Sequence, residues 1–151
     1  MKKNPIFIAL LGGLLGVIGC RKSGNFPTTP DLKYQSVYPM ELSSMDSVAI
    51  TCSFRDQEGD IQGSVWYKVN NLTTPANTTE FDNYGHDVPK FPEQKNMEGT
   101  IITILKPGVD FSVGSTQGGG SDSIYFELYL KDVAGHISDT VRTDTVLVHA
   151  N

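Results

Sequence analysis

The chain has 151 residues, with 17 acidic side chains against 12 basic ones and a formal charge of −5. That balance argues against nucleic acid or anionic lipid headgroups as partners, because both select for basic patches. Hydrophobic residues make up 38%, enough for one domain of ordinary size that needs no disulfide framework to hold a core.

Lys2 and Lys3 open the chain, Ile6 to Ile18 is apolar apart from glycines, and Val17-Ile18-Gly19-Cys20 closes the run. A basic start, an apolar stretch of roughly 7–15 residues and a small residue at the cut are the parts of a secretory signal. The run falls short of the roughly 20 residues that a stable membrane span needs. Val17-Ile18-Gly19-Cys20 resembles the lipobox of bacterial lipoproteins; the alternative is an ordinary signal with a chance cysteine at its end. The resemblance implies that residues 1–19 are removed, that the Cys20 sulfur is diacylated and that the new amino terminus is acylated. One acyl chain binds a membrane reversibly, whereas two or more anchor stably. Losing Lys2 and Lys3 leaves ten basic residues against 17 acidic ones, a side-chain charge near −7. In some Gram-negative lipoproteins the next residue directs sorting. Arg21 is not the acidic residue linked to inner-membrane retention, so the resemblance favours the outer membrane.

Residues 20–35 are expected to form the lipidated end and a flexible tether. Ser23, Gly24, Asn25, Pro27, Thr28, Thr29 and Pro30 form turns or extended chain and have little to bury. Residues 36–151 are expected to form the domain. Val37 to Leu42 gives a weak first strand interrupted by Pro39, which suits a sheet edge. Val48, Ile50, Cys52 and Phe54 alternate with Ala49, Thr51 and Ser53, and Val65, Tyr67 and Val69 with Ser64, Trp66 and Lys68. Period-2 alternation of this kind predicts half-buried strands. Thr73 to Gly99 holds at most one strand, near Glu80 to Tyr84. Ile101 to Leu105 is a further strand, and Gly114 to Asp122 a glycine-rich loop. Ile124, Phe126, Leu128 and Leu130 give the clearest alternation in the chain, and Val141 to Val148 supplies the last strand. No window carries a helical period. The reading is an all-β domain of about seven strands, a two-sheet sandwich with a small β-barrel as the alternative. Cys52 lies on an apolar strand face and has no partner once Cys20 is lipidated, so it reads as a buried free thiol. One step of register would move Trp66 between core and solvent.

Ser47-Val48-Ala49-Ile50-Thr51-Cys52-Ser53-Phe54-Arg55-Asp56-Gln57-Glu58-Gly59-Asp60-Ile61 resembles a strand followed by an Asp-x-Asp-Gly-Asp-aliphatic turn. Tyr129-Leu130-Lys131-Asp132-Val133-Ala134-Gly135-His136-Ile137-Ser138 resembles an Asp-x-Ala-Gly-Asn-x-Ser hairpin. Together they are similar to the immunoglobulin-like domains of Bacteroidetes lipoproteins, with Glu58 and His136 departing from the commoner Asp and Asn. The resemblance implies an immunoglobulin-like sandwich that serves adhesion, spacing or assembly. Asp46-Ser47-Val48, Asp122-Ser123-Ile124, Asp139-Thr140-Val141 and Asp144-Thr145-Val146 also resemble the O-glycosylation acceptor of that group, although the same tripeptides are ordinary strand starts.

Asp56, Glu58 and Asp60 put three carboxylates within one short segment, with Asp132 the natural fourth, since turns after alternate strands gather at one end of a sandwich. Calcium takes six to eight oxygen ligands, and such a set would hold it structurally. The plainer reading is a solvated acidic turn in which Gly59 supplies positive φ. Ile61 and Tyr67 stand where an EF-hand needs its glycine and its bidentate Glu, so that motif is excluded. His86, His136 and His149 are scattered singly and offer no zinc spacing. Neither a Gly-x-Ser-x-Gly elbow nor a phosphate loop occurs, so the chain reads as non-enzymatic, with an envelope enzyme whose catalytic groups come together from distant residues as a further alternative. Trp66 and Tyr84, with Phe81 and Phe91, are candidates for a glycan-stacking surface, against the plainer reading that they pack the core. The expected partners are the membrane, through lipid on Cys20, and an envelope protein or a glycan.

Overall fold

The computed structural model describes residues 26–43, 45–62, 64–83, 92, 94–114 and 120–149. They form an all-β sandwich of two sheets, not a closed barrel. In chain order the strands are β1 (Asp31–Tyr38), β2 (Glu41–Ser43), β3 (Val48–Asp56), β4 (Ser64–Asn71), β5 (Asp82–Asn83), β6 (Met97–Leu105), β7 (Ser121–Lys131), β8 (Val141–Arg142) and β9 (Val146–His149). The smaller sheet has the order β1-β3-β6. The larger runs β2-β9-β7-β4-β5, with β8 also on β7. All pairings are antiparallel except β2 with β9, which is parallel. A single turn of 3-10 helix, Pro75–Asn77, lies between β4 and β5. No described helix is long and apolar enough to cross a membrane.

The alternating strands behave as their sequences require. Along β3, Val48, Ile50, Cys52, Phe54 and Asp56 are buried while the residues between them are half-exposed. β4 buries Val65, Tyr67, Val69 and Asn71, and β7 buries Asp122, Ile124, Phe126, Leu128 and Leu130. The inner faces of the two sheets share one core, in which Phe126 meets Phe111 edge-on at 5.5 Å. Complete burial of side chains of this size contributes roughly 1.5–3 kcal/mol each before the entropy cost of ordering them.

β1 begins at Asp31, inside the stretch expected to be tether and ahead of the expected domain boundary at residue 36. Leu32 and Val37 are both buried, and a register shift between Tyr34 and Ser36 lets both face inward despite their odd spacing. Pro39, in a cis peptide after Tyr38, then marks where the chain leaves one sheet for the other: β1 edges the small sheet and β2 the large one. The expected final strand is two strands, because the chain between them turns inward at Thr143, whose hydroxyl accepts the Phe126 N–H at 3.0 Å.

Candidate metal centre

β3 alternates inward and outward, and its last inward position is Asp56, fully buried. The chain then turns. Gly59 adopts φ 71°, and its N–H donates to Asp56 Oδ2 at 2.5 Å, with the Asp60 N–H adding a longer contact at 3.3 Å. A side chain at position 59 would put its Cβ 2.1 Å from the Gln94 carbonyl oxygen, so both conformation and space demand glycine. Ile61, 1% exposed, plugs the turn into the core.

The second half of the site comes from the hairpin after β7. Asp132 follows the strand directly, and its side chain is completely buried. Its N–H donates to the His136 carbonyl at 3.0 Å, while its Oδ1 accepts the His136 N–H at 2.7 Å. Its Oδ2 lies 2.9 Å from His136 Nδ1, and Glu58 Oε2 approaches the same nitrogen at 3.9 Å. The two turns are stitched together at Asp60. Its carbonyl accepts the Val133 N–H and its Oδ2 accepts the Ala134 N–H, each at 3.0 Å.

Asp56, Glu58, Asp60 and Asp132 each direct one carboxylate oxygen into a common space, all within 4.8 Å of one another. Glu58, Asp132 and His136 form a second, overlapping set at the same spacing. Burial pushes the Asp56 carboxyl above the ordinary carboxylate range; the charges of Asp60 and Asp132 add to this, and the Gly59 and Asp60 N–H groups oppose it. The hydrogen bond to Asp132, and then the Asp132 charge, raise His136 above the usual imidazole value, with Glu58 and Asp60 contributing. Two carboxylate oxygens are left over. Asp56 Oδ1 and Asp60 Oδ1 are both out of contact with solvent and have no hydrogen-bond partner.

The four acidic residues singled out in the sequence are thus brought together. His136 was not among them, because a lone histidine carries no ligand spacing; its place four residues after Asp132 in a tight hairpin is the signal that links the two. Trp66 lies half-buried on the outer face of the large sheet. Its ring stacks on Tyr129 at 5.9 Å and 8°, Phe81 meets Tyr129 at 5.1 Å, and Trp66 Nε1 donates to Ser64 Oγ at 2.8 Å. Tyr84, Phe91, His86 and Cys20 lie outside the described residues. Cys52 is buried on the inner face of β3, and burial pushes its thiol up to about 11. Thr140 and Thr145 are exposed, whereas Ser47 and Ser123 are half-buried. Compared with protein families, with curated proteins and with solved structures, the chain finds no match.

Proposed function

We propose that this protein is a non-catalytic binding module held to the outer membrane by lipid on Cys20, and that another envelope protein docks on the outward face of β6. The observation that carries the reading is the outward face of that strand. β6 is nine residues long and pairs with β3 in the small sheet. Its outward positions are Glu98, Thr100, Ile102 and Ile104, and the two isoleucines are 59% and 48% exposed. Large apolar side chains exposed side by side on one sheet face mark a surface for protein contact.

A photo-crosslinking residue at position 102, introduced in the living cell, tests this. A discrete adduct with one envelope protein is expected, and none from the same residue at position 127 on the outer face of the large sheet. No adduct, or the same adducts from both positions, would reject it. A second reading, glycan capture on the large sheet, is favoured by the Trp66–Tyr129–Phe81 stack, since half-exposed ring systems on an outer face can stack on sugar faces. Binding on a glycan array that disappears in Trp66→Ala would select it.

A further inference from the structure

We infer that the turn after β3 and the hairpin after β7 together bind one calcium ion, held by Asp56, Glu58, Asp60 and Asp132. This goes beyond the binding role of β6 and is independent of it. Acidic side chains gathered at a loop are common without an ion, so the cluster alone would carry nothing. The deciding feature is Asp56. It is fully buried and belongs to the four-carboxylate cluster; its Oδ2 is occupied by the turn's own N–H groups, and its Oδ1 is shut off from solvent without a hydrogen-bond partner. An unpaired carboxylate oxygen in a dry interior costs several kcal/mol in general, and such an orphan is normally met by an ion or an ordered water. Asp60 Oδ1, in the same cluster, is likewise enclosed and without a partner.

Geometry and donor type agree on the ion. Oxygens bound to one calcium at about 2.3–2.6 Å stand at most about 5 Å apart. The four oxygens here lie within 4.8 Å of one another. Carboxylate oxygen is a hard donor that suits calcium, and a flexible turn accommodates its irregular coordination, with water completing the shell. The competing set of Glu58, Asp132 and His136 would suit a transition metal, but it leaves the orphaned Asp56 oxygen unexplained.

The position gives the ion a role. Asp56 and Asp60 flank the end of the small sheet and Asp132 the end of the large one, so calcium would clamp the two sheets at this end of the sandwich. The same turn receives the chain arriving from the membrane. The Gln57 N–H donates to the Pro27 carbonyl at 2.9 Å, and the Arg55 guanidinium lies 4.4 Å from the Phe26 ring centre. A filled site would therefore stiffen the point where the tether joins the domain.

The test is thermal melting and titration calorimetry of the purified full chain in detergent, with calcium chloride or with chelator. One ion per chain is expected, and at ten times the dissociation constant the melting midpoint should rise by roughly 5 °C. Glu58→Gln should weaken calcium binding about tenfold; its side chain is half-exposed, so folding is not at issue. Asp56→Asn, whose amide oxygen still accepts from the Gly59 N–H, should abolish it, and His136→Ala should keep it. The same midpoint in calcium and in chelator would overturn the inference. So would binding of zinc alone that His136→Ala removes.

Discussion

Asp122 shows how much one side chain does in this sandwich. It is 2% exposed, and its carboxylate accepts from the Gly114 N–H at 2.5 Å and from Thr74 Oγ1 at 2.9 Å, tying two loops to the start of β7. Burial alone would push its carboxyl up, but these donors hold it below the ordinary carboxylate value. A depressed folded pKa contributes stability that is present above the unfolded value of about 4 and is lost as pH falls through the lower folded value. Asp122→Ala should therefore cost about 2–3 kcal/mol at neutral pH, and its gap from wild type should shrink below about pH 4; urea titrations at the two pH values measure this. Cys52 makes a second residue-scale prediction. Its thiol is buried and pushed up to about 11, so iodoacetamide at pH 8 should leave the Cys52 peptide unmodified in the folded protein and label it after unfolding, as mass spectrometry would record. The burial of Cys52 was legible from the alternation around it. The role of Asp122 was not, because Thr74 is far away in sequence, and it and Gly114 across the preceding loop meet Asp122 only in the folded chain.

Among the elements, β3, β4 and β7 could be read directly, since each presents one apolar face to one core and their alternation is unbroken. The expected strand Val37 to Leu42 covers only the end of β1 and the start of β2, because the register shift at Tyr34 to Ser36 breaks the period-2 signal and prolines precede it. In β6 the continuous run Ile101-Ile102-Thr103-Ile104-Leu105 hides which face is buried. The structure turns Thr103 and Leu105 inward and Ile102 and Ile104 outward. Because Ile102 faces out, Ile102→Lys should leave folding stability within about 0.5 kcal/mol and should remove partner capture along β6, read by urea titration and pull-down. The turns make a paired prediction. Gly59 and Gly135 both adopt positive φ, but a Cβ at Gly59 would strike the Gln94 backbone at 2.1 Å while one at Gly135 meets nothing within 4 Å. Gly135→Ala should cost about 1–2 kcal/mol of backbone strain alone, and Gly59→Ala clearly more, in the same titration.

The whole molecule brings these features into one arrangement. Two sheets share a continuous apolar core, the segment leading into β1 lies at the end where the acidic turns meet, and β6 is displayed at the side. The carboxylates could be named from sequence because turns after alternate strands of a sandwich collect at one end. The enclosed, unpartnered oxygen of Asp56 could not, since it depends on how Asp56 is buried and on which N–H groups reach it. Lipid on Cys20 would keep this arrangement at a membrane surface, where a partner met repeatedly at close range needs little intrinsic affinity. The mass of the mature chain's N-terminal peptide tests that anchorage most directly. A peptide that begins at Cys20 and carries thioether-linked diacylglycerol is expected, and Cys20→Ala should lose both the lipid and the membrane association. An unlipidated Cys20 in a wild-type peptide, or a mature chain that begins elsewhere, would contradict it.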